Sequence, residues 1–211
     1  MLDSQIEKYI EDHTTLESEL LKELNRQTHL RTFYPRMLSG NVQGKFLEMI
    51  CRMLQPKRVL EIGTFTGYSA IAMAQGLNND ALIYTIEVNE EMESFIHEYI
   101  SKSGLEKKIK LLMGDALEII PTLEEEFDLV FIDADKEQYV DYYKLAKTKL
   151  KKGGFILADN VLWSGKVIES SSKTDKETQG IVEFNEFVNN DPEVEQLMLS
   201  IRDGLMLIRK I

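Results

Sequence analysis

A chain of 211 residues, 43% hydrophobic and 29% charged, has the composition of a soluble globular protein with room for one substantial core. Its 25 basic against 36 acidic residues give a formal net charge of −11, which works against holding a polyanion through a general electrostatic field. The single cysteine, Cys51, excludes an intramolecular disulfide framework and suits a reducing, cytoplasmic setting.

The opening residues, Met1-Leu-Asp-Ser-Gln-Ile-Glu-Lys8, lack the basic and then apolar pattern of a secretory signal, and no apolar run reaches the length of a membrane span. Residues 1–54 read as an N-terminal helical cap and residues 55–211 as the core, the whole forming one domain. Within the cap, Ile6, Ile10, Leu16, Leu20, Leu21 and Leu24 recur at roughly helical spacing among acidic residues. His13 and His29 have no cysteine or second histidine at ligand spacing and read as ordinary surface or capping residues. Cys51 sits in the amphipathic pattern Phe46–Leu54, which predicts a buried thiol.

Arg58–Ala74 predicts a strand, a glycine-supported turn and a helix. Val59, Leu60 and Ile62 suit a strand covered on both faces, and Ile71, Ala72 and Ala74 continue as a helix after Gly67. Gly63 and Gly67 permit a tight turn with close backbone approach. Glu61, at the strand end, is poorly placed for a pyrophosphate but suited to ammonium or ribose groups, and the G-x-G-x-x-G spacing of dinucleotide binders is missing.

Strands and helices then alternate, which argues for an α/β fold with a mostly parallel sheet. Ala81–Val88 predicts a second strand, ending at Glu87, and a helix follows over Asn89–Ser103, stopped by Gly104. Lys108–Met113 predicts a third strand, ending at Gly114-Asp115-Ala116, and Phe127–Ile132 a fourth, ending at Asp133. A helix over Tyr139–Leu150 closes at Lys151-Lys152-Gly153-Gly154, ahead of a fifth strand, Phe155–Ala158, that ends at Asp159-Asn160. Val161–Gly180, polar and containing Ser170-Ser-Ser172, reads as a mobile loop. After a helix around Ile181–Asn189, the runs Val194–Ile201 and Leu205–Ile208 meet through Asp203-Gly204, a two-residue hairpin signal that makes the last strands antiparallel.

In an open α/β sheet, ligands bind beyond the carboxyl ends of the strands. Glu61, Gly63, Glu87, Asp115, Ala116, Asp133, Asp159 and Asn160 fall there. A carboxylate such as Glu87 can accept both hydroxyls of a ribose, as in nicotinamide-binding folds, so it does not by itself separate cofactors. Asp133, Asp159 and Asn160 offer oxygen donors only, the type suited to Mg²⁺, Mn²⁺ or Ca²⁺; the alternative is that Asp159-Asn160 merely caps a turn. Trp163, the one tryptophan, reads as a wall of a substrate pocket, whereas Tyr139, Tyr142 and Tyr143 fall at helical spacing and read as packing.

Glu61–Ser69, Phe131–Lys136 and Asp159–Gly165 together resemble the cation-dependent O-methyltransferase family that includes catechol and caffeoyl-coenzyme A O-methyltransferases and bacterial relatives. Met37-Leu-Ser39 with Gly44–Leu47 resembles the family's entrance segment. The resemblance implies a Rossmann-like, doubly wound, seven-stranded sheet of the class I S-adenosylmethionine-dependent methyltransferases, with N-terminal helices and a C-terminal antiparallel hairpin. It implies that Glu61 and Gly63 contact the methionine portion of S-adenosylmethionine, assisted by Ser39 and Ser69, that Glu87 holds the ribose, and that Asp115 and Ala116 flank the adenine. Asp133 would touch both cofactor and metal, and Asp133, Asp159 and Asn160 match the family's ligands for a divalent cation, Mg²⁺ above all. Lys136 matches the lysine assigned as catalytic base in the catechol enzyme. Asp135 stands where that enzyme has tryptophan, which sides this chain with the caffeoyl-coenzyme A and bacterial branch.

The implied reaction is methyl transfer to a hydroxyl of a small vicinal-diol acceptor, catechol or caffeoyl-like. The main alternative is a tRNA methyltransferase acting on wobble 5-hydroxyuridine, since some bacterial relatives do this and Lys147, Lys149, Lys151 and Lys152 form a local basic cluster. A nicotinamide-dependent oxidoreductase and a non-catalytic binding module are the remaining alternatives. Relatives are often dimers, so a cytoplasmic homodimer without membrane association is expected.

Overall fold

The computed structural model describes residues 4–169 and 175–211. In chain order the helices are α1 (Ser4–Asp12), α2 (Glu19–Arg31), α3 (Gly40–Leu54), α4 (Tyr68–Gly76), α5 (Glu93–Ser103), α6 (Ala116–Thr122), α7 (Tyr139–Lys149) and α8 (Lys176–Asn189). The strands are β1 (Arg58–Ile62), β2 (Leu82–Glu87), β3 (Ile109–Met113), β4 (Phe127–Ile132), β5 (Leu150–Asp159), β6 (Val194–Leu199) and β7 (Leu205–Lys210). They form a seven-stranded sheet in the order β3-β2-β1-β4-β5-β7-β6, as the expected doubly wound, mostly parallel topology requires. By its internal contacts the chain divides into two compact units, one of Arg58–Gly63 with Asp115–Ile211, the other of the described residues up to Lys57 with Thr64–Gly114.

In the first unit β1, β4 and β5 run parallel, with Ile62 opposite Ile132 and Ile132 opposite Ala158. Val59, Leu60, Leu129, Val130, Phe131, Ile156 and Leu157 are all fully buried, the near-continuous apolar pattern of strands covered on both faces. The register therefore brings the residues that follow, Asp133 and Asp159, to the carboxyl ends of neighbouring strands. Helices α7 and α8 join through an aromatic cluster: Phe184 meets Tyr139 edge-on with ring centroids 5.4 Å apart, and Tyr143 at 6.0 Å.

Strand β5 is longer than the sequence predicts. It begins at Leu150, directly after α7, and Lys151–Gly154 lie inside it rather than closing the helix. Leu150 pairs with Phe127, Lys151 donates to Asp128 at 2.7 Å, and the register shifts between Phe127 and Leu129. Such a bulge accommodates glycine in a strand, and Gly153 takes a left-handed φ of 80°. The last two strands are antiparallel, as expected, but Asp203-Gly204 is not their two-residue turn. The connection runs from Ser200 to Gly204, and Asp203 turns outward to hold another loop. The predicted loop Val161–Gly180 instead contains a kinked 3-10 segment, Trp163–Ile168, and the first turn of α8; its serine run, 170–172, lies outside the described residues.

In the second unit β2 and β3 are parallel, with Glu87 opposite Met113. The predicted helix after β2 opens with a 3-10 turn, Glu90–Met92, before α5, and Gly104 caps it at φ 66°. Helix α4 is buried on nearly every side, and α3 packs closely on it: a Cβ on Gly76 would lie 2.3 Å from the Glu48 carbonyl oxygen. Cys51 is fully buried there, as predicted. In the N-terminal segment Leu21 and Leu24 of α2 are buried, whereas Leu16, in the loop before α2 rather than in a helix, is 82% exposed and α1 buries no residue. His13 and His29 are exposed, each ring Nδ1 within 3.0 Å of a backbone carbonyl one turn earlier. No described helix is long and apolar enough to cross a membrane.

Candidate active site

In the first unit the chain leaves β1 through Gly63 and β4 through Asp133, and the two backbones touch. A Cβ on Gly63 would lie 2.0 Å from the Asp133 carbonyl oxygen, and the residue holds φ 97°, so only glycine fits. Glu61 is fully buried on β1, opposite Phe131. Asp133 is followed by a 3-10 turn, Lys136–Gln138, capped by Asp135, whose side chain accepts from Glu137 N at 3.1 Å.

That turn folds Lys136 back over the strand ends. Its Nζ donates to Asp133 Oδ1 at 3.0 Å and to the Tyr139 hydroxyl at 2.7 Å. Tyr139 in turn donates to the Asp159 carbonyl oxygen at 3.0 Å, with the Ile132 carbonyl at 3.4 Å. Burial by itself pushes the Lys136 ammonium toward neutrality, but the Tyr139 oxygen and the Asp133 and Asp159 carboxylates outweigh it and hold it above the usual lysine range. Burial pushes the Tyr139 hydroxyl up as well, so it stays protonated and able to donate.

Asp159, buried at the end of β5, accepts from the Asn160 N–H at 2.8 Å through its own carboxylate. Asn160, Trp163 and Ser164 all sit at positive φ, 60°, 44° and 54°, a concentration of strained backbone that typically marks a functional loop. Asp203 braces it: its carbonyl accepts from Leu162 N at 3.0 Å and its carboxylate from Ser164 N at 2.5 Å. Trp163 is half-buried between Lys136 and Lys166, each Nζ 5.9 Å from its ring, and its buried indole N–H makes no hydrogen bond.

Two carboxylates and one carboxamide at adjoining strand ends form an all-oxygen set, which fits a hard divalent cation with places left for water or substrate. Among the described residues no group of three His, Cys, Asp or Glu side chains could hold a metal. Asp115, exposed, caps α6 by accepting from Leu117 N at 2.8 Å, and Ala116 behind it is buried. Asp115 also faces Tyr142, whose hydroxyl is pushed up to about 12 by burial, then by Asp135 and Asp115.

The second unit carries Ser39, Ser69 and Glu87. Ser39 and Ser69 are buried at the starts of α3 and α4. Glu87 is aimed by two backbone donors, Phe65 N at 2.7 Å to Oε2 and Asn89 N at 2.9 Å to Oε1. Each oxygen keeps a further lone pair, so the fixed carboxylate suits the two hydroxyls of a ribose. Phe65 takes a left-handed φ of 53° in the turn that carries this N–H.

Sequence reasoning missed Tyr139 and Asp203. Tyr139 had a signal, a hydroxyl one helical turn after Lys136, but tyrosines at helical spacing read equally as packing. Asp203 had none, because its role depends on a loop forty residues away in sequence. The lysine cluster is dispersed: Lys147 pairs with Asp191 and Glu193, Lys149 donates to the Leu123 carbonyl, and Lys151 pairs with Asp128.

The family model for O-methyltransferases matches residues 11–211. Caffeoyl-CoA O-methyltransferase 2 of Populus trichocarpa is 33% identical over 206 residues, covering 92% of this chain and 83% of its own. The flavonoid 3',5'-methyltransferase of Vitis vinifera is 34% identical, covering 92% and 88%. The crystal structure of the methyltransferase PaMTH1 of Podospora anserina, bound to S-adenosylhomocysteine, superposes with a TM-score of 0.91 at 31% identity, covering 99% of this chain and 94% of that one.

Proposed function

Since the chain belongs to the O-methyltransferase family and uses S-adenosylmethionine, we propose that it methylates one hydroxyl of a small vicinal-diol aromatic acceptor, catechol or caffeoyl-like, in a reaction that depends on a divalent cation. The observation that carries this reading is the cluster at the ends of β4 and β5, where Asp133 holds Lys136 and Tyr139 joins that lysine to Asp159. Asp133, Asp159 and Asn160 would hold the cation, Mg²⁺ by the hardness of the donors, with Mn²⁺ or Ca²⁺ as possible substitutes. When bound, such an ion supplies positive charge that lowers the pKa of an acceptor hydroxyl.

Lys136 would receive the proton leaving that hydroxyl or favour its loss electrostatically. Tyr139, Asp133 and Asp159 together favour its ammonium form, and a cation on the two carboxylates would offset their share of that effect. Glu61 and Gly63, with Ser39 and Ser69, would hold the methionine portion of the methyl donor, Glu87 its ribose, and Asp115 and Ala116 its adenine. Trp163, with its unused indole N–H, would form a wall of the acceptor pocket.

The test is to incubate the protein with S-adenosylmethionine and Mg²⁺ and to offer catechols, caffeoyl-type esters and hydroxyuridine-containing tRNA in parallel. Methyl transfer to the small diols is expected, lost with chelator and in Asp159→Ala. Transfer that persists without metal refutes the mechanism, and transfer to tRNA alone refutes the acceptor.

A further inference from the structure

Tyr139 is fully buried, yet its hydroxyl touches three groups of the candidate centre. It accepts from Lys136 Nζ at 2.7 Å and donates to the Asp159 carbonyl at 3.0 Å, with the Ile132 carbonyl of the neighbouring strand at 3.4 Å. Its ring is clamped edge-on by Phe184 of α8. Helix α8 is also pressed against the lysine's own turn, since a Cβ on its Gly180 would lie 2.3 Å from the Lys136 carbonyl oxygen. Tyr143, one turn after Tyr139 on α7, also packs on Phe184, but its hydroxyl bonds Asp191, outside the centre.

We propose that Tyr139 is a positioning residue: its hydroxyl fixes the Lys136 ammonium and the Asp159 end of β5 to each other, so that lysine and cation act on one acceptor. The proposal rests on the functional reading given to Lys136 and Asp159. A lysine has four rotatable bonds, and among the described residues its only other hydrogen bond is to Asp133. With the Tyr139 hydroxyl present, the ammonium is held from two sides and cannot swing away from the strand ends. The donated bond to the Asp159 carbonyl plays the part of an outer-shell contact, orienting a metal ligand through its backbone. An ordinary buried tyrosine needs one partner to satisfy its hydroxyl; this one links the Lys136 side chain to the backbone of Asp159.

Tyr139→Phe removes the oxygen and keeps the clamped ring. Single-turnover methyl transfer, Mn²⁺ affinity by electron paramagnetic resonance without cofactor or acceptor, S-adenosylhomocysteine affinity and thermal midpoint are measured for Tyr139→Phe, Lys136→Met, the double variant and Tyr143→Phe. The rate in Tyr139→Phe is expected to fall about ten- to a hundredfold, the equivalent of one charge-assisted hydrogen bond. Acceptor KM and S-adenosylhomocysteine affinity stay within about twofold, and in the Lys136→Met background the same substitution costs less than about twofold, because two members of one unit are not additive. Mn²⁺ binding weakens about tenfold in Tyr139→Phe and is unchanged in Tyr143→Phe. An equal rate loss in both lysine backgrounds, or unaltered Mn²⁺ affinity, overturns the proposal. A wild-type protein that binds Mn²⁺ but methylates none of the acceptors refutes the functional reading, and the Mn²⁺ titration still decides the role of Tyr139.

Discussion

Gly63→Ala is the substitution whose cost can be worked most directly from the geometry. The residue sits at φ 97°, where an L side chain costs about 1–2 kcal/mol. The added methyl would meet the Asp133 carbonyl oxygen at 2.0 Å and its carbon at 2.8 Å, both backbone atoms that no rotamer change can remove. Forcing such an overlap costs about 1–3 kcal/mol. Together the terms give about 2–5 kcal/mol, and with about 2–4 °C per kcal/mol for a chain of this size the thermal midpoint should fall by about 4–20 °C. Gly153→Ala separates the two terms, since Gly153 also has positive φ, 80°, but a Cβ there would meet nothing within 4 Å. It should lower the midpoint by the conformational term alone. Thermal unfolding of both variants beside wild type makes the comparison. If Gly63→Ala is no more destabilising than Gly153→Ala, the close approach of the two strand ends is not a constraint on this fold, and the reasoning fails.

Glu87→Gln keeps the side-chain shape but removes the charge that two backbone N–H groups hold in place, so S-adenosylhomocysteine affinity should fall about tenfold by calorimetry. Gly180→Ala should push the turn bearing Lys136, lowering kcat more than S-adenosylhomocysteine affinity, as steady-state rates and calorimetry on one preparation would reveal. Burial alone would raise the Asp191 carboxyl, but Lys147, the Glu193 N–H and Tyr143 outweigh it and hold it low. A depressed carboxylate stabilises the fold above its unfolded pKa and loses that contribution as pH falls through the folded value. Asp191→Asn should therefore cost about 1–3 kcal/mol near neutrality, by urea unfolding, and progressively less below about pH 4. A cost independent of pH would contradict the assignment.

Much of the fold was legible because its signals are local. The apolar run Val59–Ile62, the glycines around the turn and the alternation that follows report burial on both faces of a strand, and burial pattern survives in the sequence whatever the partner strand is. Gly104 could be read as a helix stop because a left-handed C-cap is a one-residue requirement. Lys151–Gly154 misled for the same local reason: lysines and paired glycines look like a helix end, yet Leu150 had already paired with Phe127 and a bulge absorbed the glycines. Asp203-Gly204 has the composition of a tight turn, and its use as a brace for Leu162 and Ser164 appears only when the hairpin meets that loop.

The same division holds at the candidate site. Sequence determined which chemistry is available: acids at the ends of strands, oxygen donors at Asp133, Asp159 and Asn160, and a lysine one turn beyond the first of them. It also determined the family, since motifs spread from Glu61 to Gly165 and the match over residues 11–211 agree. Tertiary structure alone decided which groups act on one another. The register of β4 against β5 sets Asp133 beside Asp159, and the fold of α7 over them turns Tyr139 from a packing residue into the link between Lys136 and the end of β5. Periodicity along a chain encodes which face is buried, whereas a hydrogen bond between residues twenty apart depends on strand order, register and helix placement, which no single stretch specifies.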